Sequence, residues 1–278
     1  MPLRIVQSKQ NPRLKELRKA LAHPGPNERG LVGIEGPHLI AEALRAGLHF
    51  ASLFVAQGSE RLLEPLTLPE QIEVLAMPKE LLDSALATES PQLMAGLVVP
   101  PDWTWAHVLP TAQKSPALLV ILAGIQDPGN LGTIIRSAEA FGADGVVCLP
   151  GTVNAWNPKA ARASAGSVFR LPVLNVREHE ALEQLHEAGV RVLATTVHGA
   201  QPADLVDLTG AVGLIIGNEG NGVPANLALK ADGAVTIPCP GQVESLNAAV
   251  AASVLLYESA RQRSLKTGAS PEMRGGVR

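Results

Sequence analysis

The chain has 278 residues, 46% of them hydrophobic and 18% charged, with a formal net charge of −3. That describes an ordinary folded protein with room for two domains, and excludes both a disordered chain and a uniformly basic nucleic-acid binder. No apolar run approaches the roughly 18 residues needed to cross a bilayer and the N-terminus lacks a secretory pattern, so a cytoplasmic protein with no membrane partner is expected.

In chain order, the segment from Ser8 to Leu21 reads as a proline-started amphipathic helix, with Leu14, Leu17 and Leu21 on its buried face. Its cations would then point outward: Lys9, Arg13, Lys15, Arg18 and Lys19 stand against Glu16 alone. A strand at Leu31–Glu35, a helix at His38–Ala46, strands at Ser52–Ala56 and near Ile72–Ala76, a helix at Lys79–Ala87 and a strand near Leu97–Val99 complete a small α/β domain over residues 1–100. The proline-rich stretch 101–116, with Trp103 and Trp105, has no periodicity and reads as a linker.

Over 117–263 the pattern is cleaner. Apolar strands at Leu118–Gly124, Ala143–Leu149, Pro172–Asn175, Arg191–Thr196, Val212–Gly217 and Ala234–Ile237 are interleaved with helices at Leu131–Phe141, Glu178–Ala188 and a last one ending near Arg261. Such alternation predicts an α/β domain with a parallel sheet covered by helices on both faces. Ligands in such folds sit outside the carboxyl ends of the strands. Residues 264–278 are expected to be a disordered tail. From Arg261 onward the chain carries a second basic run of Arg261, Arg263, Lys266, Arg274 and Arg278 against Glu272. Either run alone reads as a solvated face or tail, and the two together keep an anionic partner open.

Three polar motifs fall at predicted strand ends. In Asp127-Pro-Gly-Asn-Leu-Gly-Thr-Ile-Ile-Arg136, Asn130 can cap the following helix and Gly132 permits close backbone approach. The G-x-G-x-x-G and G-K-[ST] fingerprints are missing, which argues against a Rossmann-type nucleotide enzyme. Arg136 lies off the apolar face, either pairing with Glu139 one turn on or reaching a phosphate or hydroxyl. The second motif, Gly217-Asn-Glu-Gly-Asn-Gly222, is a tight turn or a ligand loop with Glu219 in its midst. The third runs Ile237-Pro-Cys-Pro-Gly-Gln-Val-Glu-Ser-Leu-Asn247 into a helix of small residues, Ala248-Ala-Val-Ala-Ala252. An N-cap there explains one polar residue but not the rigid Pro-Cys-Pro-Gly frame. Cys148 and Cys239 are isolated and read as free thiols. Asn130, Arg136, Glu219, Ser245 and Asn247 include no metal set, no nucleophile with its base and no carboxylate pair. Group transfer from a cofactor that brings its own reactivity fits them better.

Taken together the motifs resemble those of the SpoU (TrmH-type) RNA 2′-O-ribose methyltransferases of the SPOUT superfamily. Asn130-Leu-Gly132 with Arg136 and Phe141-Gly142 matches the first family motif, Gly217-Asn-Glu219-Gly-Asn-Gly222 the second, and Ile237-Pro238, Gly241 and Ser245-Leu246-Asn247 the third. Asn157-Pro-Lys159 and Arg162-Ala-Ser164-Ala-Gly166 are also similar, whereas Cys239-Pro240 departs from the family pattern.

The resemblance implies a deep trefoil knot in the C-terminal domain, a homodimer, and S-adenosylmethionine held near Thr195, Gly217, Ile237, Leu246 and Asn247, with no metal. It also implies that Arg136 engages the ribose hydroxyl, supported by Asn130, Glu219, Ser245 and Asn247. Residues 1–100 resemble a substrate-binding extension, in which Lys9, Arg13, Lys15 and Arg18 would hold RNA. Ribosomal RNA, of the large subunit, is favoured over transfer RNA. A transfer-RNA methyltransferase and a non-catalytic RNA-binding or ribosome-assembly protein remain the alternatives.

Overall fold

A computed structural model describes residues 3–86, 91–109, 116–197 and 199–267. The chain divides into two compact units. The first takes the residues up to Asp102 together with Leu131–Arg136 and Val153–Arg170; the second takes Trp103–Asn130, Ser137–Thr152 and the chain from Leu171 onward.

In the first unit the elements are β1 (Leu3–Ile5), α1 (Pro12–Ala22), β2 (Val32–Glu35), α2 (Pro37–Arg45), β3 (Phe50–Ala56), β4 (Val74–Met77), α3 (Lys79–Asp83) and β5 (Met94–Val98). The sheet order is β1-β4-β3-β5-β2, parallel from β1 to β3 and antiparallel through β5 and β2. Helix α1 begins as its sequence dictates: Asn11 accepts from the backbone N–H of Arg13 and Leu14, and Pro12 takes the first position, where no N–H is needed. Leu14, Leu17 and Leu21 are buried in a core shared with Phe54, Leu75, Met77 and Leu97. Strand β1 was not expected; it is three exposed residues on a sheet edge, too short for its Leu-Arg-Ile alternation to register. The expected helix Lys79–Ala87 ends at Asp83, and Ala87 lies outside the described residues.

The second unit, with the segments the first unit takes from this stretch, runs through α4 (Trp105–Val108), β6 (Leu118–Ala123), α5 (Pro128–Ala140), β7 (Gly145–Cys148), α6 (Pro158–Ala163), β8 (Val173–Asn175), α7 (Glu178–Glu187), β9 (Arg191–Thr195), β10 (Gln201–Pro202), β11 (Val212–Gly217), α8 (Ala225–Ala228), β12 (Gly233–Thr236) and α9 (Ala248–Thr267). All seven strands are parallel, in the order β10-β12-β9-β11-β6-β7-β8. The central pair β6 and β11 is buried along its whole length, which is why both read as unbroken apolar runs. Part of the expected linker is structured: Trp103 and Trp105 pack on the core of this unit, and Trp105 Nε1 donates to Glu180 at 3.1 Å.

Helix α9 continues to Thr267, six residues beyond the expected end at Arg261, so Ser264–Thr267 are helical and only the tail from 268 lies outside the described residues. Of the second basic run, Arg274 and Arg278 lie outside the described residues and the other cations serve the fold. Arg261 pairs with Glu258 at 2.7 Å, Lys266 donates to Thr209 Oγ1 at 3.0 Å, and Arg263 donates to the carbonyls of Pro116, Ala117, Leu208 and Gly210 at 2.6–3.2 Å. Beside them Gln262 donates to the carbonyls of Ala203 and Val206 and accepts from Leu208 N–H. The end of α9 is therefore tied to the start of β6 and to the β10–β11 connection. Burial holds the Arg263 guanidinium below its usual range, although nearby Asp144 acts in the opposite sense.

Candidate active site

The three polar motifs meet at the carboxyl edge of the parallel sheet. One leaves β6 into α5, one leaves β11, and one leaves β12 into α9. Their meeting point is Asn130. Its Nδ2 donates to Glu219 Oε1 at 2.9 Å, and its Oδ1 accepts from Asn247 Nδ2 at 3.0 Å. One side-chain amide thus joins all three motifs, using its donor end for the second and its acceptor end for the third.

Asn130 can play that part because it does not cap its helix. The cap is Asp127, whose Oδ1 accepts from Asn130 N–H at 2.9 Å, with Pro128 next in the chain. This corrects the sequence reading, in which Asn130 was the cap. Asn247 does cap α9: its Oδ1 accepts from Ala249 and Val250 N–H at 2.9 and 3.3 Å, leaving Nδ2 for Asn130.

Glu219 gathers the loop between β6 and α5. Besides Asn130 it accepts from the backbone N–H of Gln126 and Asp127 at 3.4 and 3.3 Å, and from Asn218 Nδ2 at 3.4 Å. Burial raises the pKa of its carboxyl, but the hydrogen bond from Asn130 and those from backbone N–H groups outweigh burial and hold it below the usual Glu value. The carboxylate is therefore charged and acts as an acceptor only.

Two glycines have no substitute on steric grounds. A Cβ at Gly217 would lie 2.0 Å from Gly222 C and 2.1 Å from Val223 N; at Gly132 it would lie 2.3 Å from Ala160 O and 2.8 Å from Ser164 N. Backbone cannot yield to such contacts as a side chain can.

Of the residues expected to surround a cofactor, Thr195 ends β9, Gly217 ends β11 and Ile237 follows the last residue of β12. These strands are consecutive neighbours in the sheet, so the three residues line one edge. Ile237 is half-buried and so is Leu246, which precedes the Asn247 cap. Apolar side chains beside strand-end backbone groups and a glycine without room for a methyl suit a nucleoside-bearing cofactor, S-adenosylmethionine included. Ser245 is exposed.

Arg136 lies six residues beyond Asn130 on α5, about 9 Å along the helix axis. It is exposed, and its side chain makes no ion pair or hydrogen bond among the described residues, so the pairing with Glu139 is not formed. Cys148 is buried and its thiol is pushed up to about 12 by burial, which makes it inert; Cys239 is also a free thiol.

The early cations divide. Arg13 pairs with Glu73 and Glu16 at 3.1 and 3.3 Å, Arg18 donates to Ser84 O and Oγ at 3.1 Å, and Lys19 pairs with Glu28 at 3.0 Å. Lys9 and Lys15 have no such partners among the described residues. Lys9, Lys15, Arg18 and Lys19 are exposed, as expected, whereas Arg13 is half-buried because Glu73 and Glu16 lie within its reach. Residues the sequence reading missed are Asp127, Asn218 and Arg263; an Asp directly before a helix-starting proline was the available signal for the first.

Comparison with known proteins shows the family. Residues 117–257 match the SpoU rRNA Methylase family and residues 11–96 the MRM3-like substrate binding domain. The chain belongs to the SpoU rRNA methylase family. It is 33% identical over 255 residues, covering 92% of this chain and 98% of the other, to the 23S rRNA (guanosine(2553)-2′-O)-methyltransferase RlmP of Bacillus subtilis. Among solved structures, the SpoU methyltransferase AviRb of Streptomyces viridochromogenes in complex with the cofactor AdoMet superposes with a TM-score of 0.78 at 30% identity, over 91% of this chain and 98% of that one. An AdoMet-bound rRNA methyltransferase of Sinorhizobium meliloti has the same TM-score at 28% identity, over 93% and 98%.

Proposed function

We propose that the chain transfers the methyl group of S-adenosylmethionine to a ribose 2′-hydroxyl of 23S ribosomal RNA. The observation that carries this is the junction at Asn130, through which three family motifs become one polar edge beside strand-end backbone. Family membership, the activity named for RlmP and the AdoMet-bound neighbours support it.

The cofactor, when bound, supplies an already activated methyl group; Thr195, Gly217, Ile237, Leu246 and Asn247 would hold it. The protein's task is then the hydroxyl, a poor nucleophile until its proton is shared or removed. Arg136 is the group assigned to it. A guanidinium keeps its own proton at neutral pH, so Arg136 orients the hydroxyl and stabilises the negative charge its oxygen acquires as the proton passes to water or an RNA phosphate, and the O–C bond then forms as the S–C bond of the sulfonium breaks. Asn130, Ser245 and Asn247 place the ribose, and Glu219 fixes Asn130. No residue needs a metal for this.

In the same reading residues 1–100 hold RNA through Lys9 and Lys15, 101–116 connect, and 117–263 carry out the chemistry. Arg13 and Arg18 then brace α1 more than they touch phosphate. The match to a substrate-binding domain supports this division. The last strand, loop and helix form the trefoil knot of the superfamily. A homodimer in the cytoplasm completes the proposal, supported by Val250, Val254 and Tyr257, which leave an exposed apolar stripe at helical spacing on α9.

The test is tritiated methyl transfer to ribosomal and transfer RNA from cells lacking the protein, followed by mapping of the label. A 2′-O-methyl nucleotide in 23S RNA is expected. Label confined to transfer RNA would move the substrate, and calorimetry showing no S-adenosylmethionine binding would make the chain a non-catalytic RNA binder.

A further inference from the structure

The loop that leads from β6 to Asn130 starts at Gly124, a residue in the left-handed region with φ +78°. Both of its peptide groups are held by side chains from other loops. Gly124 N–H donates to Thr152 Oγ1 at 3.1 Å, and that hydroxyl donates to Leu122 O at 3.0 Å. Gly124 O accepts from Asn218 Nδ2 at 2.8 Å.

Asn218 also shapes its own turn. Its Oδ1 accepts from Gly220 and Asn221 N–H at 2.9 and 3.1 Å, and its backbone exchanges two hydrogen bonds with Gly222 at 3.0 and 2.9 Å. One amide therefore fixes the turn that carries Glu219 with its oxygen, and the start of the loop that Glu219 grips with its nitrogen. The same nitrogen lies 3.4 Å from Glu219 Oε2.

We infer that Asn218 is a positioning residue for methyl transfer: it sets the distance between Glu219 and the loop carrying Asn130, and acts on the reaction only through that pair. The inference rests on the functional reading above. An aspartate separates this role from a purely structural one. It accepts the turn N–H groups as well as asparagine does, but it cannot donate to Gly124 O and it sets a second negative charge beside Glu219. If Asn218 merely formed a turn, aspartate would serve.

The experiment is a double-mutant cycle of Asn218→Asp and Glu219→Gln, read by methyl transfer to ribosomal RNA, by calorimetry with S-adenosylmethionine and by hydrogen exchange over residues 124–130. Asn218→Asp is expected to lower kcat about tenfold or more, with cofactor affinity within about threefold of wild type, and to cost less than about threefold when Glu219 is already Gln. Exchange over 124–130 should quicken in Asn218→Asp while β6 stays protected. Asn218→Ser, which keeps an acceptor without the charge, should fall between the two. Wild-type kcat in Asn218→Asp, or an equal loss in both backgrounds, would overturn the inference. Should the wild-type protein methylate no RNA, the functional reading fails, and exchange over 124–130 decides the inference by itself: unchanged exchange in Asn218→Asp overturns it.

Discussion

Asn247 donates its side-chain amide to Asn130 Oδ1 at 3.0 Å across 117 positions of sequence, while its own oxygen caps α9. The two ends of this side chain do different work, and one substitution separates them. Asn247→Asp keeps a capping acceptor of similar quality but removes the donor. Asn130 would have to turn its NH₂ toward the new carboxylate, and Glu219 would lose it. Expected are a melting temperature close to wild type and a kcat lower by about tenfold or more, because buried or preorganised donors typically carry effects of that size. Thermal melts and steady-state methyl transfer measured on the same preparation check this.

Glu219 gives a pH dependence with a definite sign. Its folded-state pKa is depressed, so its contribution to stability is present above the ordinary Glu value of about 4.3 and is lost as pH falls through the lower folded value. Glu219→Gln removes that titration. Urea unfolding at neutral pH should show wild type more stable than the variant, and the difference should shrink as pH drops below about 4. A difference that grows in acid would reverse the sign assigned here.

Gly217→Ala tests the crowding behind the second motif. A methyl there would press on Gly222 and Val223 backbone at 2.0 and 2.1 Å, so the turn itself must move. Overpacking of this kind costs about 1–3 kcal/mol, which at this chain length lowers Tm by several degrees. Cofactor affinity should fall with it, measured by calorimetry below the melting range.

Arg263→Ala should destabilise the protein by about 1–3 kcal/mol, since several carbonyls lose their donors together. Arg263→Lys should recover less than half of that, because an ammonium cannot fork across four acceptors. The partners are carbonyls and not carboxylates, so the loss should persist at high salt, where surface ion pairs fade. Unfolding in urea with and without added salt decides it.

Much of the parallel sheet was legible because β6 and β11 are buried on both faces and admit only apolar residues. The three motifs were legible because glycine, proline and asparagine clusters must fall between such strands. Asn130's true role was not, since a cap and a third-position residue look alike until the chain is folded, and here Asp127 takes the cap. The cations of α1 and α9 misled for a similar reason: charge along a sequence does not tell whether Glu73 or a row of carbonyls stands opposite. The short elements β1, α4 and β10 carry too few residues for any periodicity to register.

The most direct test of the central claim is methyl transfer by Arg136→Ala. Arg136 is exposed and unpaired among the described residues, so its removal should leave stability within about 0.5 kcal/mol and S-adenosylmethionine binding nearly intact. With ribosomal RNA from cells lacking the protein, wild type should deposit tritiated methyl on a ribose 2′-oxygen and Arg136→Ala should deposit none. Wild-type turnover by Arg136→Ala, or label on a base in place of the ribose, would contradict the mechanism.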